Sequence, residues 1–321
     1  MKTPRILRRA FTKLVLAGVA AVALGVPALH AEPAKELRVG YQKYGTLTLI
    51  KARGTLEKRL APLGISVKWT EFPAGPQLLE ALNVGSVDFG TTGEAPPIFA
   101  QAAGAPLVYV GYEPPTPVGE AILVPKDSAI QSLADLKGKK VALNKGSNVH
   151  YLLVKALESK GLSIKDVQSV YLPPADARAA FERGSVDAWA IWDPFLIAAQ
   201  RATQARVLAD GTGLVSNHQF YLSTKSYARD NPKLIAAFLE EIADVAGWAS
   251  KSPREAAEIL APQTGIEVGA LEIAIARLGY GVKPLNEDVV AEQQKIADTF
   301  HGLGLIPKKI DIKDALPAPQ G

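Results

Sequence analysis

The sequence predicts an α/β protein of two similar lobes, each built on a mixed sheet, joined by a hinge where the chain crosses twice. Three observations carry that expectation. Apolar strand-like runs alternate with helical patterns through the first two thirds of the chain, which implies parallel or mixed sheets covered on both faces. The tetrapeptide GSVD occurs twice, at 85–88 and at 184–187, with matching patterns on either side. Beyond an N-terminal leader roughly 290 residues remain, enough for two bodies of ordinary size.

The leader, MKTPRILRRAFTKLVLAGVAAVALGVPALHA, places Lys2, Arg5, Arg8, Arg9 and Lys13 ahead of an apolar run from Leu14 that Pro27 interrupts. Basic residues, a short apolar stretch and small residues at the end are the signature of a secretory signal, with cleavage expected after Ala31 or Ala28. The run is too short and too rich in small residues for a stable membrane span, and no later stretch approaches about 18 unbroken apolar residues. Arg8-Arg9-Ala10-Phe11 partly matches a twin-arginine signal, but paired basic residues are also common in general export signals, and the general route is expected. With no cysteine in the chain there is neither a lipid-anchor site nor a disulfide. The expectation is a freely diffusing protein between two membranes, as in a Gram-negative periplasm.

After the leader, LRVGYQ (37–42) reads as a buried strand, 46–60 as an amphipathic helix and ISVKWTEF (65–72) as a second strand. Pro76 opens the helix of PQLLEALNVG, VDFG enters a strand, EAPPIFAQAAG is a helix and LVYVGYE a strand. Past the proline-rich EPPTPVGE (113–120), AILVP reads as a strand, and the series begins again. KKVALNKGSN is a strand with a glycine loop, VHYLLVKALESKG a helix ended by Gly161, VQSVYLP a strand, PADARAAFERG a helix, SVDAWAIW a strand and DPFLIAAQRA a helix. At a register shift of 99 residues Gly85 falls on Gly184, Asp88 on Asp187, Gly93 on Trp192, Glu94 on Asp193 and Ala95 on Pro194. Both copies of GSVD thus follow a glycine-ended helix and enter a strand, so the repeat reads as duplication of a lobe.

NHQFYLSTKSYARDN then reads as a strand returning to the first lobe, with helices from Pro232, Pro253, Glu267 and Asn286 and a proline-rich surface tail. The expected organisation is a signal peptide at 1–31, lobe 1 at 32–118 and 215–321, and lobe 2 at 119–214. Crossings near 115–122 and 210–222 would form the hinge, a layout suited to closure around a ligand.

The leader holds five of the 36 basic residues and none of the 32 acidic ones, so the remainder carries 31 basic against 32 acidic side chains. The basic balance belongs to the leader, and no global charge favours nucleic acid or an anionic membrane. The single methionine is Met1, so the processed chain would contain no sulfur atom. Exported proteins commonly avoid free thiols, and leucine replaces methionine in cores at little cost. Avoidance of thiols accounts for the missing cysteine better than for the missing methionine. The sharper reading is a protein made in quantity when sulfur is scarce.

In open α/β sheets ligands bind outside the carboxyl ends of the strands. The loops there are Tyr41-Gln42-Lys43, Thr91-Thr92-Gly93-Glu94, Lys145-Gly146-Ser147-Asn148 and Trp192-Asp193. They offer hydroxyls, amides, backbone N–H groups and an indole, the inventory for a small anion with an apolar part. Several have a plainer reading. Ser147, Asn148, Thr91 and Thr92 equally suit helix caps, Gln42 equally suits a backbone partner, and His150 equally suits a partly exposed helix position. Glu94 and Asp193 each precede a helix, which favours capping over acid–base chemistry. Trp189 is expected in the core and Trp192 on a cleft wall. For catalysis the inventory is poor: no cysteine, only His150, His218 and His301 beyond the leader without metal-ligand spacing, no nucleophile elbow, no Walker loop and no Rossmann fingerprint. No cofactor, metal or nucleic acid is expected.

The stretches GYQK, EFPAGPQLLEALNVGSVDFGTTGE, PPIFAQAAGAPLVYVG, ADLKGKKVALNKGSN, PADARAAFERGSVDAWAIWDPF and PKKIDI resemble the periplasmic aliphatic sulfonate-binding proteins of ABC transporters, over most of the chain past the leader. The resemblance implies a type II periplasmic binding fold and a ligand cleft between the lobes. It also implies delivery to a membrane permease driven by a cytoplasmic ATPase, by a monomeric receptor that is not an enzyme, with organosulfonates serving as a sulfur source. Binders of nitrate, taurine and thiamine precursors share the fold and the DLKGKKV pattern, and remain alternatives, as does an enzyme on the same fold. A sulfonate spreads one charge over three oxygens and carries no proton near neutral pH, so it needs donors only. The expected site sets it between Thr91-Thr92-Gly93 and Gly146-Ser147-Asn148. Gln42 and His150 are further candidate donors and Trp192 flanks the alkyl group, while Glu94 and Asp193 mainly hold their loops.

Overall fold

The computed structural model describes residues 35–43 and 45–317; the leader at 1–31 lies outside them. The first series contains β1 (Glu36–Tyr41), α1 (Thr46–Arg53), α2 (Thr55–Leu60), β2 (Ser66–Glu71), α3 (Gly75–Asn83), β3 (Phe89–Gly93), α4 (Ala95–Ala102) and β4 (Leu107–Glu113). The second contains β5 (Glu120–Val124), β6 (Lys140–Leu143), α5 (Asn148–Glu158), β7 (Gln168–Tyr171), α6 (Pro174–Glu182), β8 (Ala188–Trp192), α7 (Phe195–Thr203) and β9 (Arg206–Asp210). The chain continues through β10 (Gln219–Thr224), α8 (Lys225–Asp230), α9 (Pro232–Lys251), α10 (Pro253–Thr264), α11 (Val268–Ala276) and α12 (Glu287–Gly302). The helix expected over 46–60 is broken. Gly54 takes a left-handed conformation at φ 60°, which ends α1 and starts α2 in a new direction.

Two five-stranded sheets result, ordered β2-β1-β3-β10-β4 and β7-β6-β8-β5-β9. They have the same plan. In the first, β1 runs parallel to β2 and β3, and β10 lies antiparallel between β3 and β4. In the second, β6 runs parallel to β7 and β8, and β5 lies antiparallel between β8 and β9. The antiparallel strand of each sheet is the first one after the chain has crossed from the other.

The two GSVD copies do the same mechanical job. Gly85 and Gly184 adopt φ of 70° and 69° just past α3 and α6. The following serine amides, of Ser86 and Ser185, donate back to Ala81 and Ala180, each at 2.8 Å. Asp88 N–H then donates to Arg38 O while Asp88 Oδ2 accepts the Arg38 N–H at 2.9 Å; Asp187 N–H donates to Lys140 O while Asp187 Oδ2 accepts the Lys140 N–H at 2.7 Å. Each aspartate therefore pins its strand to the neighbouring parallel strand where no further ladder bond is available.

Each sheet is covered on both faces. Leu47, Ile50, Phe238 and Leu260 of α1, α9 and α10 pack with Leu37, Val39 and Phe89 on one face of the first sheet. Leu78, Ile98 and Phe300 of α3, α4 and α12 pack with Tyr109 and Phe220 on the other. The second sheet lies between α5, through Leu152, Leu153 and Leu157, and α6 with α7, through Phe181 and Leu196 against Trp189. Trp189 is a core residue, as expected.

The crossings at 113–120 and 210–219 run side by side. Thr116 N–H donates to Ser216 O at 3.1 Å, Gly211 N–H to Pro117 O at 3.0 Å, and Asn217 Nδ2 to Thr116 O at 2.9 Å. Hydrogen bonds thus pair the two crossings where the chain passes between the sheets.

Candidate functional site

A narrow cavity, partly open to solvent, lies between the sheets. Its lining comes from both sides: Gln42, Gly75, Gly93 and Pro96 from the first sheet and its helices, Ser147, Asn148 and Trp192 from the second, and Gly119, Asn217 and Gln219 from the crossings and the start of β10. These positions follow the carboxyl ends of β1, β3 and β8, and they cap or open α3, α4 and α5. Three helix N-termini thus converge on one space. Each presents the positive end of its dipole, and α3 and α5 add first-turn N–H groups, whereas in α4 the Ala95 N–H is taken by Asn148 and Pro96 and Pro97 have none. The lining contains no lysine, arginine, aspartate or glutamate.

Asn148 is held by bonds that cross between the lobes, Ser147 and Gln42 by bonds within their own. Asn148, at the first position of α5, donates through Nδ2 to Asn217 Oδ1 at 2.6 Å and accepts the Ala95 N–H through Oδ1 at 3.2 Å. Ser147 Oγ donates to Asn144 O at 2.7 Å, which orients the hydroxyl oxygen rather than capping the helix. Gln42 Nε2 donates to Thr91 O at 3.2 Å. Asn217 sits at φ 52°, a left-handed conformation that asparagine tolerates better than most residues. Gly93 is required by contact: a Cβ there would lie 2.0 Å from Asn148 Nδ2.

Of the residues singled out by sequence, Gln42, Gly93, Ser147, Asn148 and Trp192 line this cavity. The others stand outside its lining, each with a different partner. Thr91 Oγ1 donates to Phe220 O, and Thr92, fully buried, donates to Gly93 O and packs beneath Gly75. Neither threonine caps α4. Gly146, at φ 74°, faces the ring of Phe99, and its N–H donates to His150 Nδ1 at 3.2 Å. His150 is not partly exposed but sealed between Phe99, Phe300 and Tyr171 at the junction of the lobes, where burial, with a smaller push from Lys145, lowers it to about 4 and keeps it neutral.

Glu94 and Asp193, equivalent positions in the duplication, both secure their surroundings. Glu94 Oε2 accepts the His218 N–H at 3.0 Å, and burial pushes its carboxyl up to about 7. Asp193 Oδ1 accepts the Ile197 N–H at 3.1 Å in the first turn of α7, and its Oδ2 pairs with Arg277 at 3.0 Å. Burial still holds Asp193 above its ordinary value, the opposing pull of Arg277 being smaller. Since α11 packs against α7, the Arg277 pair and the Arg201–Glu267 pair tie the C-terminal helices to the second lobe.

Sequence reasoning passed over Gly75, Pro96, Gly119, Asn217 and Gln219. Gly75 and Pro96 open α3 and α4, where PAGP and EAPP mark helix starts without marking a ligand. Asn217 lies in the second crossing and Gln219 opens β10, and only the topology shows that this late strand enters the first sheet beside β3.

The chain matches the family model described as NMT1/THI5 like over residues 61–256. An aliphatic sulfonates-binding protein of Escherichia coli (strain K12) is 47% identical over 313 residues, 97% of each chain. The alkanesulfonate-binding protein of Xanthomonas axonopodis pv. citri, solved bound to MOPS, superposes with a TM-score of 0.86 at 44% identity, covering 89% of this chain and 99% of that one. The crystal structure of the periplasmic aliphatic sulphonate binding protein of Escherichia coli superposes with a TM-score of 0.81 at 47% identity, covering 89% and 93%.

Proposed function

This chain belongs to the NMT1/THI5-like family and, within it, to the aliphatic sulfonate-binding proteins, and from that membership we propose that it is the periplasmic receptor of an ABC importer. It captures an aliphatic sulfonate between its two lobes and hands it to the membrane permease as a source of sulfur. It is a binding protein and not an enzyme.

The observation that carries the reading is the chemistry of the lining. Five neutral polar side chains, Gln42, Ser147, Asn148, Asn217 and Gln219, surround a space onto which three helix N-termini open, with Trp192 and Pro96 supplying apolar wall. A sulfonate brings three acceptor oxygens, one delocalised charge and no proton. Neutral donors and backbone N–H groups satisfy it in a dry site without the desolvation cost of a buried cation. The apolar wall takes the alkyl chain. The sulfur-free composition past Met1 suits a protein needed when sulfur is short. The leader at 1–31 would direct export and be removed. The processed chain acts as a monomer whose lobes comprise 32–118 with 215–321, and 119–214.

Calorimetric titration of the purified protein with ethanesulfonate, taurine, nitrate and sulfate tests this. Saturable heat with ethanesulfonate and weaker or absent heat with nitrate and sulfate is the expected result. No heat with any sulfonate at millimolar concentration overturns it.

A further inference from the structure

Two carboxylic acids lie directly behind the cavity wall. Glu94 follows Gly93 and Glu120 follows Gly119, and both glycines line the cavity. Glu94 leads into α4 beside the first sheet, while Glu120 is the first residue of β5 in the second. Their exposures are 1% and 0%. Glu94 Oε1 and both carboxyl oxygens of Glu120 meet no hydrogen-bond donor among the described residues, and no lysine or arginine there pairs with either acid.

The charged neighbours do not relieve them. From α12, Glu292 adds repulsion to Glu94; it accepts from Ser216 Oγ at 3.0 Å and faces His218 Nε2 at 3.2 Å. His218 Nδ1 turns to Glu113 O at 3.0 Å, so Glu94 is met by the backbone N–H groups of His218 and Asn217 and by no side-chain cation. Tyr151 of α5 and Lys295 of α12 border the outer cavity that Glu94 also lines. Asp193, at the end of β8, is committed to Arg277.

Two buried carboxylates that repel one another are costly to ionise together, and one proton taken by the pair relieves both desolvation and repulsion. The two acids come from different sheets, so opening the lobes readmits water and removes the need for that proton. We propose that closure of the lobes over the ligand takes up one proton from solvent, which neutralises one acid of the pair Glu94 and Glu120. The proton cannot come from a sulfonate, which has none to give. Burial raises Glu94 to about 7 and Glu120 well above the ordinary range, and Glu94 raises Glu120 further. Groups raised in the closed state favour closure fully below the ordinary carboxyl value of 4.5 and lose that effect as pH rises through their closed-state values, so affinity falls across that interval by up to about tenfold per pH unit and levels off above it. His150 works in the opposite sense, because closure keeps it neutral, but only below its ordinary value of 6.5.

The inference rests on the sulfonate reading, and one experiment separates the two. Purified protein is titrated with ethanesulfonate at pH 7.5 in phosphate, imidazole and Tris; sulfonate buffers are excluded as competing ligands. The expected result is an enthalpy that varies linearly with the ionisation enthalpy of the buffer, with a slope near one proton taken up per ligand. Glu120→Gln, which keeps the shape and cannot ionise, is expected to abolish the slope. Binding whose heat is independent of buffer in the unmodified protein overturns the proposal, and a slope that survives in Glu120→Gln overturns the assignment to this pair. Absence of binding in every buffer overturns the sulfonate reading instead. Should Glu120→Gln fail to fold, Glu94→Gln is read instead: burial alone still raises Glu120, so a reduced slope is expected and a slope equal to that of the unmodified protein overturns the assignment to the pair.

Discussion

The side chain of Asn148 joins the lobes: its amide nitrogen donates to Asn217 at the second crossing, and its amide oxygen accepts the first free N–H of α4. Asn148→Ala removes two buried bonds and leaves both partners unpaired, which should weaken sulfonate binding by about 2 kcal/mol, roughly 30-fold. Calorimetric titration checks it. Unchanged affinity would remove the α5 terminus from the site.

Gly93 makes that contact possible. Gly93→Ala would set a methyl group within 2.2 Å of three atoms of Asn148, so the closed arrangement should be lost while each lobe keeps its own core. The expected outcome is little change in the melting temperature of the ligand-free protein and loss of most of the shift that saturating ethanesulfonate gives to the unmodified protein.

Trp192 is the aromatic wall. Against an intact indole, each added methylene from ethane- to pentanesulfonate should strengthen binding by up to ~0.8 kcal/mol. Trp192→Ala should flatten that dependence and leave methanesulfonate the least affected, as read from dissociation constants along the series.

Much of the fold was legible because its signals are local. Alternating apolar runs, glycine-ended helices and prolines at helix starts gave most elements and the duplication, and the Gly-to-Gly register places Glu94 and Asp193 at equivalent strand ends. Five cavity residues were visible because they follow strand ends. What escaped depends on contacts distant in sequence. His150 reads as an amphipathic helix position until Phe99 and Phe300, from α4 and α12, are brought against it. Asn217 and Gln219 carry no motif, and Gly54 breaks a helix whose apolar spacing continues across it.

The GSVD aspartates are structural, but unequally so. Both accept a neighbouring strand's N–H, while Asp88 also pairs with the Arg38 guanidinium, which donates through Nε at 2.9 Å. Asp88→Ala should lower unfolding free energy by about 3 kcal/mol and Asp187→Ala by about 1 kcal/mol, measured by urea denaturation. Sulfonate affinity should be unchanged in both.

Stability should fall as pH rises. Glu113, fully buried, accepts the hydroxyls of Thr46 and Tyr221, yet burial outweighs those bonds and raises it to about 7. A carboxyl raised on folding favours the folded state below its unfolded value of 4.5 and loses that contribution as pH passes through about 7, at a cost of about 3 kcal/mol for a shift of this size. Ligand-free protein should therefore be less stable at pH 8 than at pH 5 in urea titrations. Glu113→Gln should remove part of that slope.

The placing of β10 also dictates when the molecule can exist. It lies between β3 and β4, although its last residue, Thr224, follows both of them by more than a hundred positions. Until that stretch of chain has been synthesised, the first sheet lacks the strand that unites its two parts, and its earlier segments have no complete partner surface. A nascent chain built in this order can complete its second sheet by Asp210 but its first only after Thr224, so the part begun earliest is finished last.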